Sequence, residues 1–123
     1  MTGLDLSGLD LNQVELTEAN LNGTTFAESS LQGAKLRGTS LIGADLNRAR
    51  LNGADLSGAD LIGANLQGAN LAGADLVGVD LRGAALVWAN LQGARLRGAL
   101  LQGASLRGAQ LKGAIMPDGN VQA

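Results

Sequence analysis

The side chains able to do chemistry are eleven Asp and Glu, nine Lys and Arg, and a single indole, Trp88; the chain has no His, Cys or Tyr. Without His there is no ordinary general base near neutral pH, and without Cys no thiol nucleophile, disulfide or soft metal ligand. Four carboxylates, Asp55, Asp60, Asp75 and Asp80, recur at intervals of five and twenty. Brought together they would repel one another, and the group could hold a cation or meet a basic partner. Trp88 beside Val87 offers a different chemistry, an apolar anchor for another protein. No metal-ligand spacing, nucleotide-binding loop or nucleophile–base pair is present. An enzyme is therefore the weakest reading, and no cofactor is expected.

These residues sit in a repeat. From residue 6 to residue 116 the chain has 23 places spaced by five, of which 21 are Leu and the others Phe26 and Met116. Two residues before each lies a small residue, Ala at 16 of the 23. Asp or Asn stands between at 11 of them, and two residues after the Leu comes Gly at 17 of 22 places from Gly8 to Gly113. Period five fits no helix, which wants apolar spacings of three and four and loses about 1 kcal/mol at each interior Gly. It fits three extended residues and a corner. Ala and Leu point one way and Asp or Asn the other, while Gly supplies a backbone conformation closed to most residues. Repeated, this gives a coil with its apolar residues inside, successive coils pairing through backbone hydrogen bonds: an all-β parallel β-solenoid.

Units such as Ala59-Asp60-Leu61-Ile62-Gly63, repeated from residue 4 to residue 116, resemble the pentapeptide-repeat family. The resemblance implies a right-handed, four-sided β-helix with four pentapeptides per coil, about six coils over residues 1–116 followed by a short tail, 117–123. It also implies the company the protein keeps. Members abound in cyanobacteria and most have no assigned biochemical activity; the best understood resemble DNA in shape and charge and bind type II topoisomerases such as gyrase.

With twenty residues per coil, positions twenty apart stack. Glu15, Lys35, Asp55, Asp75 and Arg95 form one outward column of mostly alternating sign, and Glu28 lies beside Arg48 in another. Asp55, Asp60, Asp75 and Asp80 become a two-by-two grid across one corner. Either the grid is a binding patch, or Asp is there because its short side chain hydrogen-bonds the corner backbone, with Arg82 in reach to neutralise part of it. Trp88 replaces a corner Gly between Gly68 and Gly108; it either covers those bare corners or stands exposed as an anchor. Leu4, Leu9 and Val14 take the place of Ala and are expected to plug the first coil. Leu100 and Ile115 point outward where Asp or Asn is usual, and the tail is too short and too rich in breakers for a capping helix.

No run of eighteen apolar residues exists and the start has neither a basic nor an apolar leader segment, so no membrane association and a cytoplasmic location are expected. Charge is uneven along the chain: −5 over residues 1–34, −1 over 35–80 and +4 over 81–123. The leading reading is a non-catalytic structural or protein-interaction rod with an unknown protein partner. The alternative is a DNA-mimicking topoisomerase modulator, which needs a broadly acidic face, whereas this chain sets Arg and Lys among its acids. Nucleic acid is an unlikely partner, since five bases near the C-terminus come without interleaved aromatics. The chain is expected to be a monomer or to associate weakly end to end, because solenoid ends expose strand edges and the two ends carry opposite charge.

Overall fold

The computed structural model describes residues 3–123. Each pentapeptide contributes one side of a coil, a single laddered residue between two corners. Every such residue bridges in parallel to the one twenty positions on, from Asp5 with Thr25 to Arg95 with Ile115. Four units therefore make one coil, and the molecule is a four-sided parallel β-helix. The first side is centred on Asp45, Asn65 and Ala85, the second on Arg50, Asn70 and Asn90. The third runs through Asp55, Asp75 and Arg95, and the fourth through Asp60, Asp80 and Leu100. No helix occurs among the described residues, and hence none long and apolar enough to cross a membrane.

The unit Ala54-Asp55-Leu56-Ser57-Gly58 shows why five residues suffice. The Ala54 N–H closes a turn on the Leu51 carbonyl at 3.0 Å, with Gly53 at φ +70° in the third turn position, the φ signature of a type II turn. Asp55 donates back to Ala34 of the preceding coil at 2.9 Å; Leu56 and Gly58 donate forward to Asp75 and Val77 at 2.8 and 2.9 Å. The remaining donor, the Ser57 N–H, goes to the Asp55 carboxylate at 3.0 Å. All five N–H groups of the unit are paired, as a segment stripped of water requires.

Inside, the Leu and Ala columns fill the coil. Every residue in the Leu place from Leu21 to Leu96, Phe26 included, is buried. The second coil differs by placing Thr24, Ser29 and Thr39 where Ala is the rule, all buried. Ser29 donates to the Phe26 carbonyl at 2.6 Å and Thr39 to the Leu16 carbonyl at 2.8 Å, whereas the Thr24 hydroxyl has no partner.

The terminal coils differ from the central ones at both ends. Leu4 and Val14 are half-buried over the first coil, but Leu9 is 45% exposed and plugs nothing. The tail makes neither a helix nor a loose end. After Pro117, whose carbonyl still accepts the Gly98 N–H at 3.0 Å, the chain reverses and Val121 pairs antiparallel with Ile115. Gly113 donates to Gln122 at 2.9 Å and Gln122 to Ala114 at 2.8 Å, so this hairpin covers one edge of the last coil.

Inward and outward positions should therefore respond differently to truncation. Leu61→Ala, at a fully buried position, is expected to cost about 2–5 kcal/mol, and the neighbouring outward Ile62→Ala less than about 1 kcal/mol. Denaturant unfolding followed by circular dichroism measures both, and equal losses would contradict the inward assignment.

Candidate interaction surface

The carboxylate grid is built as the spacing implies: Asp55 bridges Asp75, and Asp60 bridges Asp80. Its chemistry, however, is largely used internally. One oxygen of each carboxylate accepts the N–H two residues on, from Ser57, Ile62, Val77 and Arg82 at 3.0, 3.1, 3.1 and 3.2 Å. All eleven Asp and Asn in this place of the repeat do the same. The side chain thus serves the corner first.

The second oxygens mostly meet arginines. Arg82 grips Asp80 with two hydrogen bonds, Nε donating at 2.9 Å to the oxygen that already accepts the backbone N–H and a terminal nitrogen donating at 2.6 Å to the second oxygen. Arg37 reaches Asp55 at 3.4 Å, and Arg95 reaches Asp75 at 3.5 Å. Asp60 alone of the four lacks an ion pair among the described residues, which contain no His, Cys, Asp and Glu group suited to a metal. Arg82 hydrogen bonding holds the Asp80 carboxyl below the usual range against a smaller effect of burial. At Asp55 burial pushes upward, but the Ser57 hydrogen bonds and Arg37 together outweigh it and the carboxyl is again lowered.

Of the alternating column through Glu15, Lys35, Asp55, Asp75 and Arg95, only Arg95 and Asp75 close into an ion pair. Glu28 and Arg48 form none among the described residues. The pair Arg37–Asp55 runs diagonally between columns, which stacking twenty apart does not reveal.

Trp88 has φ +62° and is 65% exposed. Its indole lies over Gly108, where an added Cβ would come within 2.5 Å of the ring; Gly68 is covered by Arg48 instead. The reading that Trp88 covers two glycine corners is thus right for one of them, and the ring is exposed as well. The same lean recurs elsewhere. Gln13 lies over Gly33 and Glu18 over Gly38, each non-glycine corner residue leaning one coil toward the C-terminus. Val87 beside the indole is half-buried, and Leu100 is 41% exposed on the fourth side. Ile115 takes the outward laddered place on the third side and is half-buried there, with Val121 paired beside it.

Comparison with known proteins agrees with this architecture. The family model for pentapeptide repeats matches residues 1–33, 29–68 and 80–118, in eight copies. The chain is a pentapeptide-repeat protein. It is 39% identical to HetL from the cyanobacterium Nostoc, a pentapeptide repeat protein involved in heterocyst differentiation regulation, over 96% of this chain, with a TM-score of 0.64. That match covers 64% of HetL, so the chain spans less than two thirds of its length. A pentapeptide repeat protein of the Arabidopsis thaliana thylakoid lumen is 30% identical over 95% of this chain and 71% of its own, with a TM-score of 0.65. QnrB1, a plasmid-mediated fluoroquinolone resistance protein, shares the fold with a TM-score of 0.77 at 24% identity, over 92% of this chain and 65% of its own. No relative was found among curated proteins. The right-handed quadrilateral β-helix expected from the pentapeptide-repeat motif is the fold of this protein.

Two measurements bear on this surface. Trp88→Gly restores the residue the pentapeptide repeat prefers at a left-handed corner and is expected to stabilise the fold by about 1 kcal/mol, read from denaturant unfolding. Because folding lowers the carboxyls of Asp55 and Asp80 below their ordinary 3.8, their contribution is complete above that value and lost as pH falls below it. Thermal midpoints should therefore begin to drop near pH 4, and less steeply in Asp80→Asn.

Proposed function

We propose that this pentapeptide-repeat protein is a non-catalytic interaction rod, working in the cytoplasm, that binds a protein partner through its outer columns. One observation carries the reading. Leu and Ala, with a few other uncharged side chains, fill the interior from Leu21 to Leu96, and all titratable chemistry lies on the outside, on a backbone that fixes each outward side chain relative to its neighbours. Such a surface is preorganised, so little ordering cost opposes binding. The likeness to HetL, a pentapeptide repeat protein involved in heterocyst differentiation regulation, supports a regulatory rather than a catalytic role.

DNA mimicry is the less favoured reading. It requires acidic columns open to a basic groove, whereas Asp55, Asp75 and Asp80 are each bound by an arginine. Supercoiling by a bacterial gyrase, titrated with this protein to micromolar concentration, should be unchanged; inhibition below micromolar would reverse the ranking. The rod reading itself predicts one discrete, stoichiometric partner in cross-linked capture from the native cell. The complex should re-form from the two purified proteins, and failure to recover any such partner would contradict it.

A further inference from the structure

Ion pairing divides the rod lengthwise. All three ion pairs among the described residues, Arg37–Asp55, Arg82–Asp80 and Arg95–Asp75, lie on the third and fourth sides and the corner residues that follow them. The first and second sides differ. Between residues 46 and 113 they carry Arg48, Arg50, Arg107 and Lys112 and no Asp or Glu. None of these four cations has an ion pair among the described residues. Asp45 and Glu28 stand at the N-terminal margin of this strip, Glu28 one coil before Arg48 on the same corner.

Trp88 sits within the strip, on the corner between the first and second sides. Arg48 occupies the same corner two coils earlier, and Arg107 immediately precedes the Gly108 that lies under the indole. Folding alone does not explain a tryptophan here. A bulky residue at φ +62° is costly, and the ring remains mostly in water. Gln13, Glu18 and Arg48 cover the next corner in the same way with polar side chains.

Resting on the interaction-rod reading, we propose that Trp88, flanked by Arg48 and Arg107, is the docking site for an acidic segment of a partner protein that carries one apolar side chain. The apolar group seats on the indole and the carboxylates meet the unpaired guanidinium groups. At about 4.8 Å per coil the two arginine positions lie roughly 10 Å and 5 Å from Trp88 along the axis. An extended segment advancing about 3.3 Å per residue places carboxylates two or three residues to either side of the apolar one. A single-stranded nucleic acid fits less well, because successive bases need successive aromatic platforms and Trp88 is the only one.

The test uses a short fluorescein-labelled oligoglutamate peptide with one central leucine, followed by anisotropy, and the emission of Trp88, the only tryptophan. Binding should saturate, blue-shift that emission and weaken with added salt. Trp88→Gly, which keeps the fold because Gly is the repeat's own residue, should weaken binding about tenfold or more, as should Arg48→Ala combined with Arg107→Ala. Arg95→Ala on the third side should leave it unchanged. Failure to bind, binding indifferent to Trp88→Gly, or equal binding of oligothymidylate would each overturn the proposal. The broader reading fails separately: a cellular partner captured equally by wild type and Trp88→Gly keeps the rod and moves the site, whereas no partner at all removes both.

Discussion

Closing a turn every five residues while still pairing the laddered backbone donors is the constraint on which this molecule depends. In the central coils three N–H groups of each unit go to neighbouring coils and one closes the turn. The fifth belongs to the residue after Leu, at the corner, and in the eleven units with Asp or Asn two residues earlier that side chain accepts it. At Arg37, Asn52, Val87 and Arg97, which follow Lys35, Arg50, Ala85 and Arg95, it has no acceptor among the described residues. That single side-chain bond explains why a short acceptor recurs in a place that no packing demand reaches. It also explains why the Asp grid, conspicuous in sequence, is committed to the backbone before it is free to meet anything else.

The left-handed corner sets a second limit. Five residues other than Gly occupy it: Gln13, Glu18, Glu28, Arg48 and Trp88. Four of them, Gln13, Glu18, Arg48 and Trp88, lean toward the following coil, over Gly33, Gly38, Gly68 and Gly108. A Cβ at Gly108 would sit within 3 Å of the indole, so one large corner residue restricts what the next corner can be. Glu28, followed by Arg48, is the exception. Three of the five share one corner, where the chain has concentrated its departures from the repeat. It is on the same corner that exposed aromatic surface and unpaired cations coincide.

Much of this was legible in the sequence. The period gave the extended-plus-corner unit, Ala and Leu inward, Asp and Asn outward, and a parallel solenoid. Four units per coil came only from the family resemblance, since three would have satisfied the same pattern. What remained hidden depends on direction rather than on spacing. Whether Trp88 covers Gly68 or Gly108 is decided by how a left-handed residue aims its side chain. The Arg37–Asp55 pair depends on a long side chain crossing between columns. The tail hairpin was missed because Pro117-Asp118-Gly119-Asn120 was read for its poor helix propensity, when the same residues are good turn formers. The lengthwise division of charge appears only when side assignment and ion pairing are combined, because charge counted along the chain averages over all four sides.

Native-state amide hydrogen exchange tests the central claim most directly. The laddered N–H groups of Leu56, Gly58, Leu61 and Gly63 should exchange only through global unfolding, with one common free energy. The side-chain-capped N–H of Ala72, bound to Asn70 at 3.0 Å, should be protected as well, and Asn70→Ala should release it selectively. Rapid exchange at Gly58 and Gly63, or no change at Ala72 in that variant, would contradict the account.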